Sequence, residues 1–163
     1  MKKTIFKGMA TAMVTPMTPE GVDYEALGRF IDFQLESGIN ALVAVGTTGE
    51  SATLTPEERE KVIAFTIDRV TGRVPVIAGT GTNNTQHAVN FSVSAARAGA
   101  DALLVVTPYY NKATQNGLIA HFTTIADKVD KPIILYNVPS RTGVSCTAET
   151  YAVLAQHPNI VGV

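Results

Sequence analysis

The sequence predicts an α/β fold in which a parallel sheet is covered by helices. Short apolar runs rich in β-branched residues recur at intervals of roughly thirty residues, the size of one βα unit. These runs are apolar throughout, which is typical of parallel strands buried on both faces. Amphipathic segments with capping residues fill the gaps. A closed eightfold β/α barrel and an open doubly wound sheet both satisfy this pattern.

Six of the apolar runs predict the strands of the sheet. They are residues 9–14, 41–45, 74–78, 102–106, 132–136 and 160–163. A complete (β/α)8 TIM barrel needs roughly 250 residues, so this chain supplies only about the first five and a half βα units. In the barrel alternative, which the family resemblance described below implies, residues 1–163 are the amino-terminal part of a single β/α barrel domain that ends at the sixth strand.

The first two helices have clear start signals. Asp23 can cap a helix that Gly38 ends. Thr55 and Glu58 form the pattern of a capping box, with Pro56 at the first helical position. These signals predict one helix on each side of the second strand.

Three more helices follow at the same spacing. The third is predicted to begin at Thr85 and to end at Gly99, and the fourth covers residues 118–129. The fifth is predicted over residues 147–156. Each lies between two predicted strands, as a βα repeat requires.

Composition excludes several classes of partner. The net charge of −1 and an isoelectric point of about 6.3 leave no electrostatic footprint for nucleic acid or an anionic membrane. No apolar run is long enough to span a bilayer, and Lys7 and Gly8 interrupt the one stretch that resembles a signal peptide. Cys146 is the only cysteine, which favours a reducing compartment, the cytoplasm. We expect a small-molecule ligand.

Neither the histidines nor the cysteine predict a metal or nucleophilic centre. His87, His121 and His157 lie on separate predicted helices without ligand spacing, so we interpret them as surface histidines or as histidines whose hydrogen bonds are fully satisfied. Cys146 has no neighbouring base and is expected to be a small buried residue. We expect no metal and no cofactor.

The turn after the second strand is the most informative motif. Residues 46–51 read Gly-Thr-Thr-Gly-Glu-Ser, directly after a buried strand. Glycines allow a tight backbone that presents its N–H groups, while Thr47, Thr48 and Ser51 add hydroxyl donors. The turn is suited to binding a carboxylate or a phosphate. The alternative interpretation is a tight strand-to-helix bend that binds no ligand.

Three other polar turns follow predicted strands and are expected to meet it. They are residues 79–83, 107–111 and 136–143. Since active sites of parallel β/α folds lie at the carboxyl ends of the strands, the four turns predict a single site on one face.

These turns resemble the dihydrodipicolinate synthase and N-acetylneuraminate lyase family of pyruvate-dependent class I aldolases. The resemblance covers essentially the whole chain. It depends most on the motif at 46–51 and on Tyr-Asn-Val-Pro-Ser-Arg-Thr-Gly at 136–143, with Pro-Tyr-Tyr-Asn at 108–111 between them. It implies a (β/α)8 barrel without metal or cofactor.

The resemblance also implies a reaction. A lysine forms a Schiff base with pyruvate, and the enamine derived from it attacks L-aspartate semialdehyde to give 4-hydroxytetrahydrodipicolinate in lysine biosynthesis. In the family this lysine directly follows the strand that here ends at Val163, so we expect the 163 residues alone to be inactive. Another pyruvate-dependent aldolase, such as an N-acetylneuraminate lyase, and an inactive binding or assembly module are the alternatives.

Roles for individual residues are implied by the same resemblance. Thr47 and Thr48 hold the pyruvate carboxylate, and Tyr136 moves protons with Thr47 and Tyr110 as hydrogen-bonded neighbours. The counterpart of Tyr110 comes from an adjacent subunit, which implies a homo-oligomer. Arg141 takes a second carboxylate. Taken singly, these tyrosines can be interface residues and Arg141 a surface ion-pair partner.

An effector pocket for lysine is a further implication. Its matching positions are Ser51, Ala52, Asn83 and Tyr109. Three other positions depart from the inhibited relatives, namely Pro56, Arg59 and His87. Because these departures remove the acid that binds the effector's ammonium, we expect lysine inhibition to be weak or absent.

Overall fold

The protein is described by a computed structural model that covers residue 2 and residues 4–163. The strands are β1 Ala10–Ala12, β2 Met17–Thr18, β3 Gly21–Val22, β4 Ala41–Ala44, β5 Val76–Gly79, β6 Ala102–Val106, β7 Ile133–Tyr136 and β8 Ile160–Gly162. The helices are α1 Tyr24–Glu36, α2 Pro56–Val70, α3 Thr85–Ala98, α4 Gln115–Ala126, α5 Pro139–Thr142 and α6 Ala148–Leu154. The amino-terminal stretch that resembles a signal peptide includes Met1 and Lys3, which lie outside the described residues.

The main sheet is the wall of a barrel. Its six strands follow the order β1-β4-β5-β6-β7-β8, and every neighbouring pair is parallel. Successive long helices contact one another, α1 with α2, α2 with α3, and α3 with α4. Sequential strand order with a continuous helical layer fits a β/α barrel, whereas a doubly wound sheet reverses its order and has helices on both faces.

Two apolar layers enclose this sheet, which explains why its strands are apolar on both faces. Leu42 and Ala44 belong to the large core shared with the helices. Ala41 and Val43, which alternate with them, belong to a small cluster on the inner face together with Ile77. Alternating residues of one strand point to opposite faces, so both layers draw on the same short strands.

The predicted cap signals are confirmed at the start of α1 and α2 and at the end of α3. The Asp23 carboxylate accepts from the Ala26 N–H, and Thr55 and Glu58 form the reciprocal capping box. Gly99 ends α3 with a φ of 102°, in the left-handed region that glycine tolerates. None of the helices in the described part of the chain has the length and apolar character needed to cross a membrane.

Some predicted boundaries are wrong by a few residues. The third of the predicted strands is β5, which begins at Val76 and not at residue 74, because Pro75 has no N–H to donate to the ladder. The last helix ends at Leu154, so His157 lies beyond it and bonds to Asp127 with Nε2 3.0 Å from Oδ1. The β2–β3 hairpin and the short helix α5 were not predicted, since each is too short for a periodic signal.

His121 is only half satisfied by hydrogen bonds. It is 5% exposed on α4, and its Nδ1 lies 2.8 Å from Thr85 Oγ1, but its Nε2 is buried without a partner among the described residues. Burial lowers the pKa of His121 to about 4. The expectation of a surface or fully satisfied histidine is therefore wrong here, while His87 is exposed as expected.

This histidine predicts a loss of stability in mild acid. The unfolded chain binds a proton near pH 6.5 and the folded chain only near pH 4, so stability present above pH 6.5 is lost as the pH falls towards 4. We expect up to about 3 kcal/mol of extra destabilisation in the wild type relative to His121→Gln. Urea unfolding at several pH values measures it, and parallel pH profiles for the two proteins would contradict the assignment.

Candidate functional site

The turn after β4 presents two free backbone donors. The Gly49 N–H donates to the Gly46 carbonyl at 3.1 Å, and the Glu50 N–H donates to the Thr47 carbonyl at 3.0 Å. Within the described residues, neither the Thr47 nor the Thr48 N–H donates to any protein group. Two adjacent N–H groups without a partner among the described residues, next to threonine hydroxyls, are a donor set suited to an anion, as expected from the sequence.

Strain in this turn falls on residues that the sequence did not single out. Val45 and Glu50 both have a φ of 56°, whereas neither Gly46 nor Gly49 has a positive φ. A β-branched residue in the left-handed region is an outlier that persists only where its surroundings enforce it. Neither glycine is therefore needed for a left-handed backbone angle in this turn. Gly49 instead allows a close approach, because a Cβ there would make a tight contact of 3.1 Å with the Met13 carbonyl oxygen.

Two glycines, Gly79 at the end of β5 and Gly81 just after it, bring the neighbouring backbones into close contact. A Cβ at Gly79 would lie 2.0 Å from the Val45 carbonyl oxygen, and one at Gly81 would lie 2.3 Å from the Val106 nitrogen. No side chain fits at either position without moving the backbone. The turns after β4, β5 and β6 are thus locked against one another.

Two adjoining cavities open among these turns. The larger has a volume of about 350 Å³ and the smaller of about 20 Å³. Both are lined by Thr47, Ser51, Gly81 and Val106. The carboxyl ends of successive strands therefore form one concave face, as the four polar turns predicted.

Several predicted site residues meet at these cavities. Thr47 and Tyr136 line the smaller cavity, and Arg141 lines the larger one. In the described part of the chain, no hydrogen bond joins the Tyr136 hydroxyl to Thr47 or Tyr110. Thr48 is exposed and does not line either cavity, although its free N–H belongs to the same turn.

Tyr110 stands apart from the other predicted residues. Its side chain is 88% exposed and lines neither cavity, and its φ is 76°. An aromatic ring that is this exposed on a residue with a left-handed backbone angle is unusual and calls for an explanation. The geometry is compatible with a role outside this chain.

Only three of the four residues expected in the effector pocket line the same cavity. Ser51, Ala52 and Tyr109 line the larger cavity, but Asn83 does not. The Tyr109 hydroxyl lies 3.5 Å from Thr82 Oγ1. Arg141 lines the same cavity, so residues expected to bind an effector and the residue expected to bind a second carboxylate lie together.

A side-chain clamp that the sequence did not reveal holds the Arg141 segment. Arg141 lies on α5, which Pro139 begins and Gly143 ends. The Asn137 amide donates to Ser145 Oγ at 3.1 Å and accepts from the Cys146 N–H at 3.3 Å, which closes the loop around α5. Proline at the first helical position and glycine after the last were the available signals for this helix.

Two further predictions concern buried or metal-binding groups. Cys146 is buried as expected, and burial raises the pKa of its thiol, so it is a poor nucleophile. The described residues contain no group of three or more histidine, cysteine or carboxylate side chains that could hold a metal ion.

Comparisons with known proteins agree with this geometry. The model of the dihydrodipicolinate synthetase family matches residues 5–163. The 4-hydroxy-tetrahydrodipicolinate synthase of Thermoanaerobacter sp. (strain X514) is 57% identical over 160 residues, which cover 98% of this chain and 54% of that protein. The chain spans about half the length of the curated relatives it matches.

Solved structures give the same result. The dihydrodipicolinate synthase of Aquifex aeolicus is 52% identical with a TM-score of 0.93, over 96% of this chain and 54% of that one. The chloride-inhibited enzyme of Acinetobacter baumannii, solved in complex with pyruvate, is 50% identical with a TM-score of 0.95, over 98% of this chain and 55% of that one. These matches confirm the prediction of a partial TIM barrel.

Proposed function

Since the chain belongs to the dihydrodipicolinate synthetase family, we propose that the complete protein condenses pyruvate with L-aspartate semialdehyde to give 4-hydroxytetrahydrodipicolinate. The observation that carries the proposal is the pair of unpaired N–H groups at Thr47 and Thr48 beside the cavity that Tyr136 lines. An α-keto acid needs a carboxylate site next to a proton-transfer group, and this turn supplies both.

The proposed chemistry begins at the ketone of pyruvate. A lysine amine adds to C2 and water leaves, which gives an iminium that acts as an electron sink. Loss of a methyl proton gives an enamine, whose carbon attacks the aldehyde. By the family resemblance this lysine follows β8. Tyr136 moves the protons, and Thr47 and Tyr110 lower the cost of forming its phenolate through hydrogen bonds made in the assembled site.

Other parts of the proposal concern the second substrate and the assembly. Arg141 lines the larger cavity, so its guanidinium can take the carboxylate of the aldehyde in bidentate fashion. The outward position of Tyr110 supports a homo-oligomer in which this residue completes the site of a neighbouring subunit. The lone cysteine supports the cytoplasm as the compartment.

Borohydride trapping tests the proposal. The complete gene product, incubated with pyruvate and reduced, is expected to carry one pyruvyl adduct on a lysine, located by peptide mass spectrometry. Condensation of pyruvate with L-aspartate semialdehyde is then assayed. Cleavage of N-acetylneuraminate is assayed as a control. An adduct with activity only on N-acetylneuraminate would assign the other branch of the family, and the absence of an adduct would refute the Schiff-base mechanism.

A further inference from the structure

Arg59 is a buried charge without an acidic partner in the described part of the chain. It lies on α2 with 7% of its surface exposed, and no carboxylate lies within ion-pair distance of it among the described residues. Its Nε is buried and has no hydrogen-bond partner there. Burying an unpaired guanidinium costs several kcal/mol in general, so its position calls for a compensating role.

The contacts of Arg59 place its guanidinium beside the end of β5. The guanidinium carbon lies 4.0 Å from the centre of the Phe91 ring, and Nη2 donates to the Gly79 carbonyl at 3.4 Å. Burial lowers the pKa of Arg59, yet a guanidinium stays protonated at neutral pH. A fixed positive charge is thus held against the backbone of Gly79.

The backbone of Gly79 links Arg59 to the smaller cavity. Gly79 lines the smaller cavity on one side and the narrow space beside Arg59 on the other. A Cβ at Gly79 would lie 2.0 Å from the Val45 carbonyl oxygen and 2.9 Å from the Gly46 nitrogen. Arg59 thus bonds to a backbone segment that packs directly against the strained turn carrying Thr47 and Thr48.

We propose that Arg59 is a positioning residue for carboxylate binding: it holds the end of β5 behind the 46–51 turn and makes that turn electropositive. The inference deepens the proposed function and rests on it for the identity of the carboxylate, which is that of pyruvate. A cation in a low-dielectric wall acts on an anion across one peptide layer far more strongly than the same charge in water. The unpaired state of Arg59 is then useful, because a carboxylate partner would cancel its field.

The test separates charge from packing in the complete gene product. Arg59→Gln removes the charge at similar length, Arg59→Lys retains it, and Phe91→Leu retains it but removes the ring that holds it. Acetate is the probe, titrated at constant ionic strength while the amide resonances of Thr47 and Thr48 are followed, and neutral acetamide is the ligand control. Thermal melting of each variant confirms folding.

We expect Arg59→Gln to weaken acetate binding about tenfold, with Arg59→Lys within about threefold of wild type and Phe91→Leu between them. The KM for pyruvate rises by the same factor in Arg59→Gln, while kcat at saturating pyruvate stays within about threefold. Wild-type acetate affinity in Arg59→Gln, or equal losses in the Gln and Lys variants, overturns the proposal. Normal acetate binding without condensation activity would instead refute only the proposed function.

Discussion

Replacing Tyr136 with phenylalanine is expected to lower kcat of the complete enzyme by about 10²- to 10⁴-fold, the range for loss of a general acid–base group. The ring still fills its place beside Thr47 in the smaller cavity, so the fold and the KM for pyruvate change little. Steady-state kinetics with both substrates, together with the rate of borohydride trapping, measures the effect. Trapping slows as well if Tyr136 serves Schiff-base formation.

Tyr24→Phe is the matched control for this experiment. Tyr24 lies half-buried on α1, with its ring 5.2 Å from that of Phe65 and away from both cavities. The substitution removes the same hydroxyl group and is expected to leave kcat within about twofold. A Tyr136→Phe enzyme that matches the Tyr24→Phe enzyme in kcat would show that another group moves the proton.

Gly79→Ala is expected to give the largest loss of stability of any single methyl addition in this region. The new Cβ meets the Val45 carbonyl at 2.0 Å, which is backbone and cannot rotate away, so β4 and β5 must separate. Overpacking of this kind costs about 3 kcal/mol, or a fall in Tm of roughly 6–12 °C. The displaced 46–51 turn also loses carboxylate affinity. Thermal melting and acetate titration measure the two effects.

Gly28→Ala is the control for Gly79→Ala. The Cβ at Gly28 meets its nearest heavy atom, Phe65 Cζ, at 3.5 Å, which is ordinary contact. Alanine is also the better helix former, by about 1 kcal/mol, so the Tm stays level or rises. If Gly79→Ala melted at the wild-type temperature with normal acetate binding, the locked contact between β4 and β5 would not exist as described.

Local patterns were sufficient to predict the elements of the barrel wall. The caps at Asp23 and Thr55 and the stop at Gly99 depend on hydrogen bonds and backbone angles within one turn, so a short stretch of sequence contains all the information. The six apolar runs likewise predict strands that are buried on both faces. Boundaries beside Pro75 and at the end of α6 were less accurate, because they depend on which ladder or helix bonds finally form.

The sequence by itself determined the βα repeat and the donor groups of the 46–51 turn, because spacing and residue type are local properties, and the family resemblance favoured the barrel over the doubly wound sheet. Only the tertiary structure decided that Val45, and not the neighbouring glycines, bears the strain, and that Gly79 is the contact between turns. It alone revealed Arg59 as a buried charge behind the site, since burial and through-space distance arise from packing of segments far apart in the chain.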